Sequence, residues 1–130
     1  MKLLLDTRVL LWSLAGDSRL GPKARDVIVD PGNQVLASIV SLWEMAVKIR
    51  IGKLHGDIPE IARAVGDAGM DLLGISVAHL TMLKSLPSHH RDPFDHLLIA
   101  QAIVEEATFV SDDRNVSRYD VPNISCRAAP

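Results

Sequence analysis

KLLLDTRVLLWSLAG, residues 2–16, decides the fold. Its apolar residues 3–5 are too few to make a helix of their own and read as a short strand buried on both faces, the pattern of a parallel sheet. Immediately afterwards, residues 9–14 have the apolar density of a helix packed closely on that sheet. Asp6 and Thr7 fall at the junction, where the end of a buried strand opens into the crevice that open α/β sheets use for their ligands.

Outward from this unit the alternation continues. Residues 18–21 form a turn, Pro22 suits the first turn of a helix with Ala24, Val27 and Ile28 on its apolar face, and DPGN at 30–33 ends that helix. Residues 35–37 make a second strand, after which Ser38 or Ser41 caps a helix reaching about Ile51, closed by Gly52. Residues 58–65 supply an amphipathic helix broken by Gly66 and Gly69, and 72–75 a third strand followed by a helix through Leu83. Residues 94–104 are the most strongly helical run, Thr108–Ser111 is a fourth strand, and 121–125 a weak fifth. Strands separated by helices imply βαβ crossovers. The expected fold is a three-layer α/β/α domain with a mainly parallel sheet of four or five strands, a single domain over residues 1–130.

Composition sets bounds on function. A hydrophobic share of 48% over 130 residues builds a core and excludes a disordered tail. The net charge of −2 excludes a protein that holds nucleic acid by overall positive charge, so a polyanion must be gripped locally. Cys126 is the sole cysteine, which rules out an intramolecular disulfide and a cysteine-rich zinc site and suits a reducing cytoplasm. Asp6 and Arg8 interrupt the N-terminal apolar stretch, which therefore reads as mature sequence rather than a signal peptide. No apolar run approaches the roughly 20 residues of a bilayer-spanning helix, and no membrane association is expected.

Acids carry the chemical signal. Asp95 lies at helical spacing on the stripe of Leu98, Ile99, Ala102 and Ile103, where a charge is costly unless it is paired, hydrogen-bonded or bound to a cation. The competing reading makes Asp92 the N-cap, Pro93 the first helical residue and Asp95 an acid favoured by the helix dipole. Asp6 either projects into the crevice or caps the next helix. Glu44 shares a face with Val40, Val47 and Ile51, but Lys48 one turn on offers an ordinary ion pair. Asp112 and Asp113 both follow the fourth strand, and either one can face the site. Taken together, clustered carboxylates repel one another unless a hard cation neutralises them, and Mg²⁺ or Mn²⁺ fits an all-oxygen donor set.

Four segments in order, LLLDTRVLLW, ASIVSLWEMAVKIRIGKL, HHRDPFDHLLIAQA and TFVSDD, span nearly the whole chain and resemble the PIN-domain ribonucleases, in particular the toxins of VapBC toxin–antitoxin pairs. The resemblance implies catalytic, metal-site acids at Asp6, Glu44, Asp95 and Asp113, one or two Mg²⁺ or Mn²⁺ ions, and supporting hydroxyls at Thr7 and Ser111. It favours Asp113 over Asp112 and leaves Asp92 as the cap. It further implies an endoribonuclease that cuts a structured RNA such as tRNA or rRNA, a cognate antitoxin and a homodimer. Relatives often carry His where this chain has Arg8, whose guanidinium can grip phosphate or pair with a site acid.

Arg8, Lys48, Arg50, Lys53 and Arg91 are candidates for a basic rim that holds the RNA backbone, against a solvated charged surface as the alternative. His89, His90 and His96 admit a transition-metal reading with Asp92 or Asp95, but a polar loop is an ordinary place for histidine and adjacent histidines rarely face one ion. His79 reads as structural, and Trp12 and Trp43 as core. Two rivals remain: a catalytically silent PIN domain serving as a binding or autoregulatory partner, supported by Arg8, and a phosphoacceptor receiver domain. Receivers carry an adjacent acidic pair after the first strand and a lysine ending the last, whereas here Asp6 stands alone and TFVSDD ends in acids.

Overall fold

The run Leu3, Leu4, Leu5 is wholly buried because a strand presents alternate residues to opposite faces, and both faces here are covered. A computed structural model describes residues 1–126. The elements run β1 (Lys2–Leu5), α1 (Thr7–Ala15), α2 (Pro22–Val29), β2 (Gln34–Ser38), α3 (Ile39–Arg50), α4 (Ile58–Asp67), β3 (Asp71–Leu73), α5 (Val77–Ser85), α6 (Pro93–Val104) and β4 (Thr108–Ser111). A 3₁₀ turn at Arg114–Arg118 and β5 (Asn123–Ser125) follow. The strands form one five-stranded sheet in the order β3-β2-β1-β4-β5, and every pairing is parallel.

Two cores sandwich the sheet. Leu3, Leu5, Val35, Ala37 and Val110 point to one face, against Val9, Leu10 and Trp12 of α1, Ala24 and Ile28 of α2, and Met45 of α3. Leu4, Leu36 and Phe109 point to the other, against Leu97, Leu98, Ile99 and Ala102 of α6. The three-layer α/β/α expectation holds, with all strands parallel and the weak fifth strand present. Gly66 does not break α4, which runs on to Asp67; the reversal falls at Gly69, whose φ of +77° suits glycine.

Local signals account for the helix starts. Ser38, rather than Ser41, caps α3: its Oγ accepts from Val40 N–H and donates to Gln101 Oε1 at 2.5 Å, with both side chains fully buried. The Gln101 amide in turn donates to the Gly74 carbonyl at 3.1 Å, so one buried chain of bonds ties β2, the segment after β3 and α6 together. Ser38→Ala removes a cap and orphans the Gln101 carbonyl, and is expected to lower unfolding free energy by about 1–3 kcal/mol in a urea titration. His79 is structural, as expected: it completes a capping box with Ser76 and lies 2.8 Å from Glu105 through Nε2.

Trp12 joins the core as expected, but Trp43 is 52% exposed and meets Phe94 edge-on with centroids 4.8 Å apart. The buried residues of α3 are Val40, Ser41, Leu42, Glu44 and Met45, and Trp43, like Val47 and the C-cap residue Ile51, falls outside them. Among the described residues no helix is long and apolar enough to cross a membrane.

Candidate functional site

Strand order reverses direction between β1 and β4, because the chain builds outward from β1 through β2 to β3 and then returns to β1's other side. That reversal parts the loops at the C-terminal ends of the strands and leaves a crevice. A cavity of about 500 Å³ lies there, lined by Asp6, Thr7, Arg8 and Leu11 from the β1–α1 junction, Glu44 and Lys48 from α3, Asp92 and Asp95 from the start of α6, and residues 112–115 after β4. Asp6, Glu44, Asp95 and Asp113, spread over more than a hundred residues of sequence, thus face one space.

Each acid is held differently. Asp6 is both a cap and a cavity acid: its Oδ1 accepts from Val9 N–H at 2.7 Å, and its Oδ2 accepts from Ser111 Oγ at 2.7 Å and Asp112 N–H at 3.0 Å. Burial pushes its carboxyl above the usual range, and these donors pull against that shift. Glu44 is buried, takes a hydrogen bond from Thr7 Oγ1 at 2.6 Å, and pairs with Lys48 Nζ at 2.8 Å, one helical turn on. Thr7 Oγ1 also lies 3.0 Å from Ser41 Oγ. Ser111 links the acids, since its Oγ donates to Asp6 and accepts from Asp113 N–H at 3.0 Å.

Asp95 stands apart. Asp92 caps α6, with Oδ1 accepting from both Phe94 N–H and Asp95 N–H, and Pro93 is the first helical residue. The Asp95 carboxyl is therefore not the cap, and among the described residues no donor lies within hydrogen-bonding distance of it. Its side chain is 13% exposed. Burial first, and then the charges of Asp92, Asp6, Asp113 and Glu44, push it up to about 8. A carboxyl raised this far favours its protonated form at neutral pH, and a cation brought beside it would compete with that proton.

Asp112 and Asp113 diverge. Asp112 turns to Arg8, whose guanidinium lies 2.6 Å from its Oδ2. Asp113 caps the 3₁₀ turn through Oδ1, accepting from Asn115, and leaves Oδ2 toward His90 and Asp95. Of the candidate rim cations, Arg8 and Lys48 line the cavity and Arg50, Lys53 and Arg91 do not. The first two of these follow Lys48 beyond or at the end of α3, and Arg91 precedes the cap, so proximity in sequence does not carry them to the crevice. Arg114 and Asn115, which sequence reasoning passed over, line it instead.

His90, which the sequence offered beside Asp95 as a metal ligand and which was set against the reading of an ordinary loop histidine, does lie with the acids. Its Nε2 lies 3.6 Å from Asp95 Oδ2 and 3.7 Å from Asp113 Oδ2, and burial lowers the basicity of the ring. One ligand atom from each of these three residues falls within 4.8 Å of the others. The donor set fits a divalent cation: a buried carboxyl lacking donors, further acids across the cavity and an imidazole nitrogen all converge.

A family model described as PIN domain matches residues 3–122. A chain of VapBC2 from Rickettsia felis, solved bound to a DNA fragment from its promoter, is similar with a TM-score of 0.72 at 13% identity, covering 96% of this chain and 98% of that one. Chains of VapBC from Salmonella typhimurium, also bound to DNA, and of VapBC-5 from Mycobacterium tuberculosis are similar with TM-scores of 0.68 and 0.61, at 13% and 20% identity. Coverage of this chain and of the matched chain is 96% and 98% for the first, and 98% each for the second. At the level of sequence alone, no curated protein matches.

Proposed function

The chain belongs to the PIN-domain family, and from that premise we propose that it is a Mg²⁺- or Mn²⁺-dependent endoribonuclease, the toxin of a toxin–antitoxin pair. The observation that carries this reading is the Asp95 carboxyl, buried without a hydrogen-bond donor and pushed up to about 8 among other acids. Such a group either keeps its proton or, once ionised, needs a cation beside it. The likeness to chains of VapBC complexes supports the toxin role and a cognate antitoxin as partner.

In this reading Asp6, Glu44, Asp95 and Asp113 hold the ion. When bound, it supplies an acidified water and positive charge against the developing phosphorane-like charge of phosphodiester hydrolysis. The chain's own residues then do the positioning. Three donors fix the Asp6 carboxylate, Thr7 fixes the Glu44 carboxylate, and both are thereby preorganised before any ligand arrives. Arg8, 62% exposed on its side chain, and Arg114 border the cavity and give the RNA backbone a local positive contact on a molecule of net charge −2. The substrate is a structured RNA such as tRNA or rRNA cut in an exposed single-stranded segment, the working form is a homodimer, one domain spans the chain, and the compartment is the cytoplasm.

The test is cleavage of total RNA by purified, antitoxin-free protein. Cleavage is expected with Mg²⁺ or Mn²⁺, lost with a chelator and restored by excess metal. Cleavage that persists unchanged in chelator, or none with either metal, overturns the proposal.

A further inference from the structure

The hydrolytic reading uses carboxylates and leaves His90 without a task. Its side chain is nine-tenths buried, at 10% exposure, yet Nε2 is a buried nitrogen with no hydrogen-bond partner among the described residues. Leaving such an atom unpaired costs stability, so its presence calls for a reason. The distances of 3.6 and 3.7 Å to Asp95 Oδ2 and Asp113 Oδ2 are too long for N–H···O bonds. They suit ligands that share an ion, since donors each about 2.0–2.2 Å from one metal lie roughly 3–4 Å from each other.

We propose that His90 Nε2 is a nitrogen ligand to the ion held by Asp95 and Asp113, making this a mixed imidazole–carboxylate centre that prefers Mn²⁺ over Mg²⁺. The inference rests on the metal-dependent reading above and specifies its donor set. Carboxylate and water alone suit Mg²⁺, whereas an imidazole nitrogen shifts preference toward first-row transition ions.

The surroundings orient the ring for this role. Nδ1 lies 2.9 Å from the hydroxyl of Tyr119, which is itself 4% exposed. With an ion on Nε2 the ring proton resides on Nδ1 and is donated to that hydroxyl, the outer-shell arrangement that fixes the tautomer of most metal-bound histidines. His96 packs edge-on against the His90 ring with centroids 4.7 Å apart and planes at 82°, holding its tilt. The objection that adjacent histidines rarely share an ion does not apply, because His89 is exposed and packs its ring on Tyr119 instead.

The experiment titrates Mn²⁺ into the purified full chain, counts free ion by continuous-wave electron paramagnetic resonance, and reads pulsed spectra of the bound ion for ¹⁴N modulation. Wild-type protein is expected to show imidazole nitrogen modulation that His96→Ala retains and His90→Ala loses. His90→Ala is also expected to weaken Mn²⁺ binding by at least about tenfold, the low end of what even outer-shell partners cost, and to change Mg²⁺ competition several-fold less. His90→Gln, which keeps polarity and most of the volume, serves as the second variant and should behave alike. Bound Mn²⁺ without nitrogen modulation in wild type, or modulation that survives both His90 variants, overturns the assignment and leaves the metal-dependent reading standing. Absence of Mn²⁺ and Mg²⁺ binding to wild type overturns both.

Discussion

Asp95→Asn is expected to lose metal-dependent RNA cleavage while making the metal-free protein more stable at neutral pH. The two effects share one cause. The native carboxyl titrates at about 8, far above the value for an unfolded chain, so between about pH 4 and pH 8 the native state keeps a proton that the unfolded state has released. Folding therefore takes up a proton in that window, and the contribution of Asp95 to stability falls as pH rises through it. Asparagine does not ionise and escapes the penalty. The gain should be about 0.5–2 kcal/mol at pH 7, the range usual for relieving a functional strain, and should vanish below about pH 3, where Asp95 is protonated in both states. Added Mn²⁺ should reverse the order, stabilising wild type more than the variant. The loss of cleavage should exceed the roughly 10- to 100-fold that outer-shell partners cost. Thermal melts at the two pH values, with and without metal, check the stability pattern; a variant less stable than wild type at pH 7 without metal sinks the argument.

Two substitutions at Asp6 are expected to separate its structural from its chemical work. Asp6→Asn keeps a carbonyl oxygen to accept from Val9 N–H and so preserves the start of α1, but it removes a charge from the cavity and places an amide where Ser111 Oγ and Asp112 N–H now find an acceptor. Asp6→Ala removes every one of these acceptors. Cleavage is expected to fall to background in both. Stability should fall by about 0.5–2 kcal/mol more in the alanine variant, from the lost cap. Equal unfolding midpoints for the two in urea would show that the cap is idle, and activity retained by Asp6→Asn would remove Asp6 from the metal site.

These outcomes bear on what a sequence can disclose. The strand in residues 2–5 was legible because a run of leucines too short for a helix must be covered on both sides in a parallel sheet. Asp95 was legible as an acid on an apolar stripe, whereas Glu44 and Asp113 were singled out by resemblance, since an ion pair one turn away or a neighbouring aspartate explains them equally well. Charge alone was a poor guide to the rim: Arg50, Lys53 and Arg91 are near site residues in the chain and away from the cavity, while Arg114 enters it on a 3₁₀ turn too short to leave a periodic trace. His90 was visible as one of three candidate ligand histidines, but which of the three meets the acids was not. The orientation of His90 is set by a hydroxyl 29 residues downstream, and no local pattern encodes that meeting.

The pairing of β1 with β4 also orders events during synthesis. The first strand acquires its second neighbour, and Asp6 its Ser111 and Asp112 partners, only after more than a hundred residues have been made. Closing so long a loop must precede any reward from the contact, and domains complete folding as the last elements become available. A chain interrupted before β4 carries Asp6, Glu44 and Asp95 but neither the clamp on Asp6 nor Asp113. The cavity is thus a late product of translation, and truncated chains are predicted to be inert even where their N-terminal helices form.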